Sequence, residues 1–307
     1  MKTGELTLIG HDIEGQWNLP LLRNAAAMSR ASLVLSQDDP ASGAADVSSG
    51  ALPPIEGLLA RFDHVVACEA VPASRSVYDY AAPRGHLGVI VGNELAGIPR
   101  HWLQRADQVV SIPMFGRGMS SVNVAVAAAI VLYALRRDLG RKRLRASGRS
   151  HRDVDLLVLG PPNPHELGSL FRSAWPFGWR RAFLADPAGV WFSEDRPTVL
   201  AGRAAARRQV NRLMILPEDR LDLRDYTAMV VCDGQRQGTP LSRFPLPEGH
   251  RILLVYGRPA AQPLDFAGAV EHVFVDHADA QVTACYRHAG SILLSVVSQL
   301  LRGRPRG

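Results

Sequence analysis

The chain has 307 residues, 47% of them hydrophobic, and a formal net charge of +6. That length is enough for two ordinary domains with substantial cores, and no apolar stretch is long and uninterrupted enough to read as a membrane span. The three cysteines, Cys68, Cys232 and Cys285, fit neither a metal-ligand spacing nor a disulfide framework, and are expected to be small buried hydrophobes in a reducing cytoplasm. The sequence pI of about 9.6 suits a polyanionic partner without requiring one.

Taken in order, residues 6–10 (LTLIG) read as a strand reached with no signal-peptide pattern before it. Residues 18–31 (NLPLLRNAAAMSRA) carry helical spacing, and 33–35 a second strand. Residues 38–54 form a polar Ala/Ser/Gly/Pro run expected to be a loop, followed by a short helix over 55–62 and a strand at 65–67. Residues 70–81 read as a connection with a helical turn at Val77 to Tyr80. Gly88-Val89-Ile90-Val91-Gly92 is a buried strand closed by a tight turn, and 109–112 a further apolar run opening a loop with Gly116 and Gly118. Residues 122–135 are almost wholly apolar and alanine-rich, the pattern of a buried helix. Glycine-rich loops bring main-chain groups close to a ligand, so these segments predict a pocket lined mainly by backbone.

Residues 138–152 (DLGRKRLRASGRSHR) break the apolar period and read equally as a solvated linker or a basic contact to phosphates. After them the pattern restarts. Residues 155–160 mirror 5–10, 167–174 mirror 19–26, 182–184 mirror 33–35, 229–232 mirror 65–68, 252–257 mirror 89–92, and a closing helix over 289–301 mirrors 124–135. The alternation predicts an α/β chain, mostly parallel, built as a tandem repeat: one domain over 1–138, a basic linker over 139–152, and a second domain over 153–307.

GNELAGI at 92–98, followed by IPMFGRGMSSVNVAVAAAIVLY at 112–133, resembles motifs 2 and 3 of the SpoU (TrmH-like) branch of the SPOUT methyltransferases, with the gap between Gly116 and Ser121 about one residue longer than usual. NPHELGSLFRSAWPFG at 163–178 is similar to that family's motif 1 through Asn163, Gly168, Arg172, Phe177 and Gly178, with Glu166 in place of the second Asn. The resemblance implies a trefoil knot, a topology otherwise rare, S-adenosylmethionine as cofactor, and two fused SPOUT domains forming an intrachain pseudo-dimer. The copies diverge in opposite places. The first keeps motifs 2 and 3 but has a weak motif 1 from Asn18 to Arg23, while the second keeps motif 1 and has lost the later motifs.

By that resemblance the donor would lie on Val91, Gly92, Asn93, Glu94, Gly97, Ile112, Pro113, Met114, Gly116, Ser121, Val122, Asn123 and Val124. The catalytic candidates are Arg172, Arg23, Glu94, Ser121, Asn123, Asn163 and Asn18. The implied activity is RNA methylation at a ribose 2′-hydroxyl of rRNA or tRNA, at a composite site where the first copy binds the donor and the second offers Arg172. An arginine normally stays protonated, so orienting the hydroxyl or a phosphate suits it better than acting as base. Arg23 acting within its own copy is the rival. Other readings also stand: a small-molecule or protein acceptor, or a donor-binding pseudoenzyme. Each residue has a plainer reading as well. Ser121 and Asn123 suit a helix N-terminus, Asn163 an Asx-type turn, and His288 a satisfied core histidine. Trp175, Trp179 and Trp191 suit packing as well as base stacking. RNA would be held by the copies themselves, the basic linker, or the stretch Arg203 to Arg212. The fused pair is expected to be cytoplasmic; a pseudo-dimer within one chain allows a monomer, and the sequence leaves further association open.

Overall fold

The computed structural model describes residues 4–36, 55–115, 121–142, 144, 151–161, 163–206, 211–248, 251–257 and 264–302. The expected loop at 38–54, Gly116 and most of the basic linker lie outside them. The chain divides into two compact units. One comprises Met1–Pro113, Asn123–Arg143 and His277–Ala284, and the other Met114–Val122, Leu144–Asp276 and Cys285–Gly307. The exchange of the segments 114–122 and 277–284 departs from the contiguous domains expected above.

The first unit runs β1 (Leu6–His11), α1 (Asn18–Met28), β2 (Ser32–Ser36), α2 (Ile55–Leu59), β3 (His64–Cys68), β4 (Arg75–Ser76), β5 (Leu87–Val91), α3 (Arg100–Arg105), β6 (Gln108–Ser111), α4 (Val124–Arg136) and α5 (Leu139–Lys142). Its strands make one sheet in the order β2-β1-β5-β3-β6-β4, parallel at every pairing. All five residues of β5 are buried, as a strand needs to be in a parallel sheet covered on both faces. Ile9, Val65, Ala67 and Ile90 pack with Leu58, Ile98 and Trp102 in one apolar cluster. Helix α4 starts two residues later than its composition suggests, because the Asn123 side chain caps it by accepting the Ala125 N–H at 2.9 Å. It stops before Asp138, whose φ of 52° turns the chain out of the helix. The turn expected at Val77 to Tyr80 is preceded by strand β4, and Val77 and Tyr78 are buried. The start of the expected linker instead folds as α5 with Leu139 buried.

The second unit runs β7 (Val154–Leu159), α6 (Pro164–Ala174), β8 (Arg181–Ala185), α7 (Arg196–Ala206), β9 (Met214–Pro217), β10 (Ala228–Cys232), β11 (Thr239–Pro240), β12 (Ile252–Tyr256), β13 (Ala269–Phe274) and α8 (Tyr286–Arg302). Its parallel sheet has the order β11-β13-β10-β12-β7-β8-β9. Read from the other end with β7 set beside β1, this is the order of the first unit with β9 added at the edge. Gly10 pairs with Val91 at the carboxyl ends of β1 and β5, and Val158 with Tyr256 at the carboxyl ends of β7 and β12, two residues off the correspondence of 155–160 with 5–10. Among the described residues, no helix is long and apolar enough to cross a membrane.

Candidate active site

In open parallel sheets, ligands collect in the loops leaving the carboxyl ends of the strands. In the first unit the loop leaving β5 folds back on itself. Asn93 N–H donates to Gly97 O at 3.2 Å and Gly97 N–H to Asn93 O at 3.0 Å, while the Asn93 side chain accepts from Leu95 and Ala96 N–H at 2.8 and 2.9 Å. Gly97 holds a φ of 72°, and a Cβ on Gly92 would stand 2.4 Å from the Gly97 carbonyl carbon, so the loop closes only with glycine at both places. Glu69, at the end of β3, accepts the Ile98 N–H at 2.9 Å and holds the return leg.

This loop is joined to the one leaving β1. Asn93 Nδ2 donates to Asp12 O at 2.8 Å and to the Glu14 carboxylate at 2.9 Å. The Glu94 carboxylate accepts the main-chain N–H of Glu14 at 3.2 Å and of Gly15 at 3.1 Å. It also accepts a short hydrogen bond from Asn18 Nδ2. Asn18, only 8% exposed, in turn accepts from Asn123 Nδ2 at 2.8 Å. Asn123 then caps α4. Glu94, Asn18 and Asn123, drawn from three separated motifs, therefore form one hydrogen-bonded line. Each amide has one possible orientation, because its nitrogen must face an acceptor and its oxygen a donor. Gly15 makes this possible: a Cβ there would lie 2.6 Å from Asn18 Nδ2 and 2.8 Å from Glu94 Oε1.

Arg23 is exposed on α1 and has no part in this line. Ile112 is buried, Pro113, Met114, Val122 and Val124 are half-buried, and Ser121 is exposed. Gly116 is outside the described residues. Sequence reasoning missed Gly15, Glu14, Asp12 and Glu69. A glycine placed three residues before Asn18, right after an acidic residue, was the available signal.

The second unit places its predicted residues differently. Asn163 caps α6, its side chain accepting His165 N–H at 2.9 Å and Glu166 N–H at 3.3 Å, with Pro164 following it. That is the geometry of the turn-forming alternative. Gly168 serves helix packing, since a Cβ there would stand 2.1 Å from Gly202 O on α7. Arg172 is half-buried in the last turn of α6. Just beyond that helix, Pro176 O accepts the Phe115 N–H at 2.6 Å, and the Phe115 ring lies 6.0 Å from that of His151. Both contacts lie within the second unit, to which Met114–Val122 belong.

Glu166 is also occupied. It accepts Arg287 Nε at 2.5 Å and Arg287 N–H at 2.9 Å, tying the first turn of α6 to the first turn of α8. At the carboxyl end of β12, Tyr256 Oη donates to Tyr286 O at 2.6 Å, and Tyr286 Oη donates to Leu159 O at 2.9 Å. Burial pushes both phenols up. His288 is wholly buried and its pKa falls to about 3, through burial first and then the Arg287 charge, so it stays neutral. Trp175, Trp179 and Trp191 are at most 7% exposed and pack against Arg180, His151 and Phe171.

The first unit thus offers main-chain groups, apolar side chains and two carboxylates, Glu14 and Glu94, and its residues 91–98 and 108–113 contain no lysine or arginine. That character fits a neutral or cationic nucleoside better than a phosphate. Among the described residues no acidic, histidine or cysteine group could hold a metal ion.

Residues 5–133 match the family described as SpoU rRNA Methylase. The 23S rRNA (guanosine(2553)-2′-O)-methyltransferase RlmP of Bacillus subtilis (strain 168) is 48% identical over 48 residues, 16% of this chain and 19% of that protein. The tRNA (guanosine(18)-2′-O)-methyltransferase of Aquifex aeolicus (strain VF5) is 39% identical over 64 residues, 21% of this chain and 28% of that protein. The chain therefore spans less than a third of the length of either curated relative. Among solved structures, the SpoU methyltransferase AviRb from Streptomyces viridochromogenes in complex with the cofactor AdoMet is 23% identical with a TM-score of 0.37, over 48% of this chain and 61% of that one.

Proposed function

We propose that this chain, through the SpoU-type domain matched over residues 5–133, is an S-adenosylmethionine-dependent RNA methyltransferase acting on a ribose 2′-hydroxyl of rRNA or tRNA. The observation that carries it is the line Glu94–Asn18–Asn123, which joins three motif positions at the carboxyl edge of the sheet. The donor would be held by main-chain groups of residues 91–97 and 112–114 and by the start of α4, and when bound it supplies an activated methyl group.

The chain's own residues have separable tasks. Glu94 joins the loops after β1 and β5 and accepts from three donors, so we assign it positioning and not proton removal. Asn18 and Asn123 fix the approach to α4. For orienting the acceptor hydroxyl or its phosphate we favour Arg172 over Arg23. The support is that the motif-3 segment Met114–Val122 groups with α6 in the second unit and that Phe115 bonds to Pro176. We further read the units as two copies of one SPOUT-like fold, a reading supported by their shared strand order.

The test is methyl transfer from labelled S-adenosylmethionine to total RNA lacking the modification, followed by nucleoside analysis. Label in a 2′-O-methyl nucleoside is expected, lost in Arg172→Ala and retained in Arg23→Ala. Label in a base would discard the ribose mechanism. Donor binding with no transfer to RNA would overturn the acceptor class.

A further inference from the structure

Of the five tryptophans, four are at most 7% exposed and one, Trp17, is 89% exposed. An indole is the largest apolar surface a side chain offers, and leaving one in water forgoes the burial that folding ordinarily takes. Trp17 is not loose for want of a rigid support. Asn18 N–H donates to Gly15 O at 2.7 Å, Gly15 N–H donates to Glu94 at 3.1 Å, and the Asn18 side chain bonds to both Glu94 and Asn123. The backbone on both sides of Trp17 is therefore tied into the site, while its ring has no hydrogen-bond or ring partner among the described residues.

Resting on the methyltransferase reading, we propose that Trp17 is a stacking platform for an unpaired nucleobase of the RNA acceptor. A protein partner would need a contiguous apolar patch. Here the neighbours of the ring in the chain, Glu14, Gln16 and Pro20, are exposed and mostly polar. A single flat ring among polar groups suits a base, whose π-face stacks whatever its identity. Leu95, 78% exposed and next to Glu94, adds a second apolar contact on the adjoining loop.

The test uses the full chain with ten-nucleotide oligouridylate and oligoadenylate as probes, fluorescence anisotropy for RNA binding, and calorimetry for S-adenosylmethionine. Trp17→Leu is expected to weaken both oligonucleotides about tenfold, and Trp17→Phe less than about threefold, with donor affinity unchanged in both. Wild-type indole emission is expected to be quenched by RNA, and that quenching to be absent from Trp17→Phe. Wild-type affinity in Trp17→Leu, or equal losses in the two variants, would overturn the stacking role while leaving the enzyme reading intact. A wild-type protein that binds the donor but neither oligonucleotide, and methylates no RNA, would overturn the enzyme reading and this proposal with it.

Discussion

Removing either partner of the Glu166–Arg287 pair should destabilise the second unit, and by unequal amounts. The two side chains are only 16% and 14% exposed, so breaking the pair from one side leaves a mostly buried charge, typically costing about 3–5 kcal/mol. Glu166 does two things at once: one oxygen takes the guanidinium and the other takes the Arg287 main-chain N–H in the first turn of α8. Glu166→Ala loses both and should cost about 4 kcal/mol, of which about 1 kcal/mol is the helix cap. Arg287→Ala keeps the main-chain donor on the carboxylate and should cost about 3 kcal/mol. The double variant should cost less than the sum by about 2 kcal/mol, because the second deletion removes a charge already stranded by the first. Urea unfolding followed by tryptophan emission reads this unit well, since Trp175, Trp179 and Trp191 are buried in it. Equal losses, a larger loss in Arg287→Ala, or a coupling under about 0.5 kcal/mol would refute the account.

Gly15→Ala should drive a methyl group into Asn18 Nδ2 and Glu94 Oε1, at 2.6 and 2.8 Å. We expect about 1–3 kcal/mol of destabilisation and a methyl-transfer rate at least about tenfold lower, checked by melting and by label incorporation. His288, with a folded pKa of about 3, stays neutral while the unfolded chain takes up a proton below about pH 6.5. Stability should therefore fall as pH drops from about 6.5 toward 3, and His288→Leu should flatten that limb in urea titrations. Asp155 is pushed up by burial, but hydrogen bonds from Arg181, Tyr226 and Arg251 outweigh this and leave it below the usual carboxylate range. Its contribution is present above about pH 4 and is lost as pH falls through its lowered value. Asp155→Asn should thus be most harmful at neutral pH and converge with wild type in acid, as measured by melting across that range.

The central strands and the buried helix α4 were legible because long aliphatic runs leave few alternatives. Glu94, Asn18 and Asn123 were legible as motif positions, but their mutual bonds were not, since residues 18, 94 and 123 meet only through the sheet register. The same limit hid Glu69 and Gly15, whose roles exist only against a distant loop. Gly168 was legible as a motif position, but its packing role was not: a Cβ there would meet Gly202 O on α7, a contact with a distant segment that the sequence does not pair. The tryptophans show that size does not tell depth. The three weighed between packing and base stacking are buried, and the exposed one stands between β1 and α1.

Neither unit is an unbroken length of chain, because residues 114–122 group with the second and residues 277–284 with the first. Asn24 Nδ2 bonds to Thr283 O at 2.9 Å, and Ala278 N–H to Met28 O at 2.7 Å, so the late segment is part of the first unit's own bonding. A cut near residue 150 would therefore not yield two finished pieces. Each fragment would carry off a portion the other requires, and a gene split there would encode two polypeptides that are complete only in each other's company.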